Sequence, residues 1–90
     1  MLNRIAKWQR DTFGWKVTPE DAVARLKKEL DEFLENPVPE EAADCVITAV
    51  DLFRSIEIDD PDQYVLVKQD KNTRRKWNVA PDGTGQHVEE

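Results

Sequence analysis

Four acidic residues at helical spacing are the side chains of this sequence best suited to chemistry. Glu29 and Glu32 are three residues apart, and Glu41 and Asp44 repeat that spacing further along. Residues three apart share one face of a helix, so each pair presents two carboxylates side by side. Like charges held together in a partly buried place repel one another and lose hydration, which is costly unless a cation neutralises them. A hard cation such as Mg²⁺ prefers these oxygen ligands and also bridges phosphates.

Each pair alone is more typical of a solvated acidic face, because surface helices are commonly rich in Glu and Asp. The two pairs lie on consecutive predicted helices joined by a short proline-containing link. Together they favour a metal site and a solvated acidic face equally. Both interpretations stay open on spacing alone.

A second polar cluster follows near the end of the chain. Lys68, Lys71, Asn72 and Arg75 fall within roughly 100° of helical arc. Their side chains supply hydrogen-bond donors for phosphate oxygens, and Asn72 can also bond a sugar. The alternative, which spacing alone favours, is a solvated basic face that pairs with the acidic helices. The tryptophans pose a similar choice between base stacking and core packing, and core packing is favoured.

Four helices are predicted to carry these residues. Thr18-Pro19 and Asp60-Pro61 are typical helix starts, and Asn36-Pro37 ends one helix before Pro39 opens the next. The predicted ranges are about 2–12, 18–35, 39–55 and 60–77, and the tail 78–90 is predicted to be irregular. The third helix is apolar over roughly 220° of arc, so we expect it to be packed on several sides with its acidic stripe facing a groove. The predicted fold is therefore an all-α bundle of about four helices.

Composition limits the partners of the chain. A sequence of 90 residues fits a single domain, 1–90, whose limited core favours a homo-oligomer, a dimer or tetramer. With 19 acidic and 13 basic residues and a net charge of -6, it lacks the positive field that drives binding to nucleic-acid polymers. No run reaches the roughly 18–20 apolar residues of a membrane span, and no secretory signal is evident. We expect no membrane partner and a cytoplasmic location. The single cysteine, Cys45, is interpreted as a small core residue.

The chain resembles the MazG-like superfamily of all-α nucleoside triphosphate pyrophosphohydrolases. The motifs of that superfamily, ExxE on one helix and ExxD on the next, appear here as Glu29-Leu-Asp-Glu32 and Glu41-Ala-Ala-Asp44. The early Thr12-Phe13-Gly14 and the run from Lys68 to Arg75 are similar to its compact dATP/dGTP diphosphohydrolase branch, which is common in phages. The resemblance spans nearly the whole chain.

The resemblance implies a role for each of these polar residues. Mg²⁺, or Mn²⁺ as an alternative, would be coordinated by four acidic residues, Glu29, Glu32, Glu41 and Asp44. The nucleoside triphosphate would contact Lys68, Asn72 and Arg75, with Asp51 assisting. Water would attack the α phosphorus and release a nucleoside monophosphate and pyrophosphate, with Glu32 or Glu41 as the catalytic residue that activates the water.

Two other classes of function compete with this hydrolase. A non-catalytic helical module could use its acidic and basic faces to bind another protein, and it would gain no thermal stability from Mg²⁺. A di-iron helical bundle normally needs Glu-x-x-His pairs. The only histidine, His87, lies in the predicted tail, which disfavours the di-iron bundle.

Overall fold

Four helices and a short C-terminal hairpin form the protein in a computed structural model. The structure describes residues 1–88, and at positions 76, 78 and 86–88 it describes the backbone alone. The helices are α1 (Leu2–Phe13), α2 (Pro19–Glu35), α3 (Pro39–Arg54) and α4 (Pro61–Thr73), and the strands are β1 (Lys76–Val79) and β2 (Gly85–Val88). The predicted all-α helical bundle is confirmed.

The predicted helix starts are present at α2 and α4. The Thr18 hydroxyl accepts a hydrogen bond from the backbone N–H of Asp21 at 3.1 Å, and Pro19 takes the first helical position. Asp60 caps α4 in the same way through the N–H of Gln63 at 3.4 Å. These caps satisfy backbone donors that have no partner inside the helix, so the start of each helix is fixed locally.

The packing of the helices centres on α3. Helix α2 packs along α3, α1 also packs on α3, and α4 contacts mainly α1. The buried apolar core is small, comprising Ala6, Val17, Ala22 and Val50. Contrary to the expectation that α3 is packed on several sides, Val46, Ile47 and Leu52 are 51%, 37% and 36% exposed within one chain. None of the helices within residues 1–88 combines the length and apolar character of a membrane span.

Asp62 on α4 caps the beginning of α1. Its carboxylate accepts hydrogen bonds from the backbone N–H groups of Leu2 at 3.0 Å and Asn3 at 3.1 Å. In return the Asn3 side chain accepts from the N–H of Asp62 at 2.9 Å and donates to Asp60 at 2.7 Å. Bonds from the N-terminal amine and from the backbone of Asn3 and Leu2 lower the pKa of Asp62. The two helix starts therefore hold each other in place.

The D62N substitution should lower the melting temperature near neutral pH. A lowered pKa means that the ionised form stabilises the fold at pH values above the unfolded pKa of about 3.9. That stability is lost as the pH falls through the folded pKa. Melting curves over the acidic range should therefore show D62N and wild type converging at low pH. D59N, at an exposed carboxyl in the loop just before α4, is the matched control and should behave like wild type.

The C-terminal segment differs from the prediction. Helix α4 ends at Thr73 rather than near Trp77, and β1 pairs antiparallel with β2 where an irregular tail was predicted. The indole N–H of Trp77 donates to the Asn72 carbonyl at 2.8 Å, so this carbonyl is satisfied just where the helix stops. Pro81-Asp82-Gly83 forms the turn, with Gly83 at a φ of 88°, a conformation that favours glycine. Residues 89 and 90 of the predicted tail lie outside the described residues.

Candidate active site

Three of the four predicted carboxylates converge between α2 and α3. Glu29 from α2 meets Glu41 and Asp44 from α3, and each offers an oxygen atom within 4.8 Å of the other two. This set is called the acidic cluster below. Its convergence follows from the three-residue spacing, which places Glu41 and Asp44 on one face of α3, and from the packing of that helix on α2.

Glu32 lies beside the acidic cluster. It forms a hydrogen bond with Glu29, and it is half-buried. Burial, that hydrogen bond and the charges of the neighbouring carboxylates raise the pKa of Glu29. Burial first, and then the charges of Asp44, Glu32 and Glu40, raise the pKa of Glu41. Lost hydration and charge repulsion therefore act together on Glu29 and Glu41.

The acidic cluster fits a divalent metal ion. Oxygen Oε2 of Glu41 is buried and has no hydrogen-bond partner within the described residues. A buried polar atom without a partner is costly, and a bound cation would satisfy it. The donors are all carboxylate oxygens, the ligands that Mg²⁺ and Mn²⁺ prefer.

Cys45 adjoins the acidic cluster. The sequence interpretation treated it as a small core residue and did not predict this position. It is half-buried and free. Burial and the charges of Glu29, Glu41, Asp44 and Glu32 raise the pKa of its thiol. Because the thiolate is the form that binds metals, the raised pKa disfavours the thiol as a ligand and favours the carboxylate oxygens. Its position directly after Asp44 was the signal in the sequence, since a neighbour in the chain shares the same surroundings.

Asp51 has a different partner from the one predicted. It is buried on α3 and receives a hydrogen bond from Nε of Arg54 at 3.0 Å, with 2% of the Arg54 side chain and 9% of the Asp51 side chain exposed. Arg54 also donates to the carbonyl of Gly14 at 2.8 Å and lies over the Phe13 ring at 5.6 Å. Asp51 thus takes part in joining α3 to the end of α1, and its assistance to the nucleotide stays a prediction.

The predicted phosphate-binding residues lie apart from the acidic cluster. Lys68 and Asn72 line a cleft of about 400 Å³ with Phe53 and Tyr64. Oxygen Oδ1 of Asn72 is buried and has no partner within the described residues. Because α4 ends at Thr73, Arg75 lies beyond the helix rather than on its face. The structure therefore places Lys68 and Asn72 in one cleft, which neither Arg75 nor the acidic cluster lines, although the backbone N–H of Arg75 donates to the Asn72 carbonyl at 3.2 Å.

An apolar cavity adjoins the acidic cluster at Asp44. It has a volume of about 500 Å³ and is lined by Arg4, Ile5, Trp8, Asp44 and Ile47. Trp8, which the sequence interpretation favoured as a core residue, is 55% exposed. An aromatic ring, an arginine and apolar walls beside a candidate metal site form the kind of pocket that binds small molecules.

The all-α fold with carboxylates on two packed helices defines the class: the chain is a MazG-like nucleoside triphosphate pyrophosphohydrolase. The model of the dATP/dGTP pyrophosphohydrolase family matches residues 1–90, and the chain belongs to this family.

Solved structures support the assignment. The chain is similar to a cyanophage S-2L MazG-like pyrophosphohydrolase bound to dGDP and three catalytic Mn²⁺ ions per active site. The two share 27% sequence identity with a TM-score of 0.75, over 99% of this chain and 91% of the cyanophage chain. Among curated proteins, none matches the sequence at a significant level.

Addition of Mg²⁺ or Mn²⁺ should raise the melting temperature of the protein, and a chelator should reverse the rise. A ligand that binds the folded state alone stabilises it by roughly 2.7 kcal/mol at a hundred times its dissociation constant. Differential scanning fluorimetry with a metal titration measures this effect. K⁺ at matched ionic strength is the control, and an equal rise with K⁺ would show general screening of charge rather than a metal site.

Proposed function

We propose that the protein hydrolyses dATP and dGTP to the corresponding monophosphate and pyrophosphate in a Mg²⁺-dependent reaction, with Mn²⁺ as an alternative ion. The observation that carries this proposal is the acidic cluster with the buried, unpartnered oxygen of Glu41. Family membership supports the substrate class. The bound dGDP and Mn²⁺ of the cyanophage neighbour support a deoxynucleotide and a divalent ion.

In this proposal Glu29, Glu41 and Asp44 hold the metal, with Glu32 supporting Glu29. The bound metal would supply positive charge that stabilises the phosphoryl group during transfer. Water attacks the α phosphorus, the bond to the bridging oxygen breaks, and pyrophosphate leaves. The proton of the attacking water passes to a carboxylate. Glu32 is the better candidate for this base. It lies beside Glu29, but it is not one of the three residues whose oxygen atoms converge.

The nucleoside part of the substrate is placed in the apolar cavity beside Asp44. A base stacked on Trp8 would have its phosphates directed towards the acidic cluster, since Asp44 belongs to both sites. The exposed Arg4 would supply a forked donor to the substrate.

The W8A substitution should raise KM for the nucleotide by about tenfold, because base–aromatic stacking contributes roughly 1–3 kcal/mol. The metal-induced rise in melting temperature should persist. Trp15 is 40% exposed and lines a different cleft with Thr18 and Ser55, so W15A is a matched control with an expected KM near that of wild type. Equal effects of the two substitutions would remove Trp8 from the substrate site.

We further propose that the chain forms one domain, acts as a homo-oligomer and functions in the cytoplasm. The oligomer is supported by exposed apolar side chains on three helices, which include Leu34 at 77%, Val46 at 51% and Leu66 at 66%. Exposed apolar area on this scale in a small chain favours association.

The test of the proposed activity is pyrophosphate release from a panel of ribo- and deoxynucleoside triphosphates, with Mg²⁺, Mn²⁺ or chelator. The expected result is metal-dependent release of equal amounts of monophosphate and pyrophosphate, fastest with dATP and dGTP. Faster turnover of a pyrimidine nucleotide would overturn the substrate assignment. Release of inorganic phosphate instead of pyrophosphate would overturn the position of bond cleavage.

A further inference from the structure

Gln9 on α1 is a buried polar side chain whose hydrogen bonding is incomplete. Only 2% of the residue is exposed. Its amide nitrogen Nε2 donates to the backbone carbonyl of Ile47 on α3 at 2.8 Å. A carbonyl can only accept, so this bond fixes which way the amide group is turned. The amide oxygen Oε1 is buried and has no hydrogen-bond partner within residues 1–88.

Stability alone does not explain a glutamine at this place. A buried acceptor without a partner is costly. Ile47 lies in the middle of α3, where each carbonyl also accepts the hydrogen bond of the helix from the N–H four residues further on. The bond from Gln9 therefore satisfies no group on α3 that would otherwise be unpaired. What the bond does supply is a fixed distance between α1 and α3 at this level.

The hydrogen bond of Gln9 joins two walls of the apolar cavity. Ile5 and Trp8 line the cavity from α1, and Asp44 and Ile47 line it from α3. Gln9 directly follows Trp8 in the chain, and its acceptor is the backbone of Ile47 itself. Asp44, one helical turn before Ile47, also belongs to the acidic cluster. One side chain thus connects the wall that carries the indole ring to the helix that carries two of the candidate metal ligands.

The wall at Trp8 has little other support at this level. Trp8 is 55% exposed, so its position depends largely on that of α1. Its ring meets the ring of Phe13, with the two centroids 5.5 Å apart, but Phe13 lies on the same helix. The hydrogen bond from Arg54 to Gly14 joins α3 to the far end of α1, five residues beyond Gln9.

We propose that Gln9 is a positioning residue: its hydrogen bond to the Ile47 carbonyl fixes the Trp8 wall of the cavity relative to Asp44, and so fixes the nucleoside relative to the metal site. This inference rests on the proposed function, in which the base stacks on Trp8 and the phosphates reach the acidic cluster. A shift of α1 along α3 would move the α phosphorus away from the metal and the attacking water. Misplacement by about 1 Å can cost on the order of a hundredfold in rate.

The Q9M substitution tests the proposal. Methionine is unbranched like glutamine and fills irregular gaps in a core, but it removes both the donor and the unpartnered oxygen. We expect kcat/KM for dGTP to fall by about tenfold through misplacement of the substrate. The melting temperature should stay at or above that of wild type, and its rise with Mn²⁺ should persist. Gln63 on α4 is exposed, so Q63M is the matched control and should keep the wild-type kcat/KM.

A double-mutant cycle with W8A shows whether Gln9 acts through Trp8. If it does, adding Q9M to W8A should lower kcat/KM by less than roughly twofold, because residues that act through one contact are not additive. All rates are divided by the folded fraction, measured by circular dichroism. A further tenfold loss in the double variant would overturn the proposal, and so would a wild-type kcat/KM in Q9M. A lower melting temperature of Q9M with unchanged kcat/KM would show a purely structural role.

Wild-type turnover of dGTP, measured in parallel, separates the two proposals. An inactive wild type would reject the proposed function itself. An active wild type together with an additive cycle would reject only the role of Gln9.

Discussion

The E41Q substitution is expected to abolish pyrophosphate release while leaving the fold intact. Glu41 belongs to the three converging carboxylates and carries a buried oxygen without a partner. The amide has nearly the same shape but no negative charge, so it is a poor ligand for a divalent cation. We expect a fall in kcat of about a hundredfold to a thousandfold, the range of losses seen when a group that stabilises charge is removed. Stopped assays of pyrophosphate and circular dichroism of the same sample measure both properties.

For E41Q we also predict the melting temperature in the absence of metal. The pKa of Glu41 is raised in the folded protein, so folding favours its protonated form. The metal-free wild type should therefore lose stability as the pH rises through that pKa. Glutamine stays neutral, so metal-free E41Q should melt at or above the wild-type temperature near neutral pH. E41Q should also lose the stabilisation by Mn²⁺.

A neighbouring carboxylate provides the matched control. Glu40 precedes Glu41 and is exposed, so E40Q should retain turnover and the response to Mn²⁺. Retained turnover in E41Q would count decisively against this site. A melting temperature of metal-free E41Q far below that of wild type would instead show that Glu41 stabilises the fold.

The R54A substitution is expected to destabilise the protein by about 3–5 kcal/mol, which is the cost of leaving a buried charge without its partner. Arg54 is 2% exposed, pairs with the buried Asp51 and donates to the carbonyl of Gly14. Its loss leaves the Asp51 carboxylate uncompensated and removes the hydrogen bond from α3 to Gly14 at the end of α1. Native domains have only about 5–15 kcal/mol of stability, so R54A should unfold at a much lower urea concentration.

Arg74 provides the comparison for Arg54. It pairs with Asp70 at 2.9 Å, but the two side chains are 78% and 60% exposed. Exposed ion pairs contribute roughly 0–1 kcal/mol, so R74A should unfold close to the wild type. The double variant R54M/D51L removes both buried charges and should regain part of the lost stability. Equal urea midpoints for R54A and R74A would contradict the role assigned to the buried pair.

The starts of α2 and α4 could be predicted from the sequence because they depend on short-range interactions. Thr18 and Asp60 cap from the positions directly before Pro19 and Pro61. The hairpin was missed although Pro81-Asp82-Gly83 is a strong turn signal. Its strands have four residues each, which is too short for a clear alternation of apolar and polar side chains.

The acidic cluster could be predicted in part. The spacing of Glu41 and Asp44 fixes their shared helix face, and proximity of the two helices brings Glu29 to them. The three-residue spacing of Asp51 and Arg54 also allows their ion pair, but spacing does not show that the pair is buried. The positions of Lys68 and Asn72 depend on how α4 packs on the other helices. One contact that fixes this packing is the capping of α1 by Asp62, and these two segments are about sixty residues apart in the sequence.

The reciprocal hydrogen bonds between Asn3 and Asp62 join the first turn of α1 to the first turn of α4. Neither the first turn of α1 nor that of α4 can open without breaking the bonds that fix the other. Local unfolding then involves both turns as one cooperative unit. Helix α1 carries Trp8 of the apolar cavity and α4 carries Lys68, so the bonds between the two helix starts help to fix both candidate nucleotide contacts relative to each other.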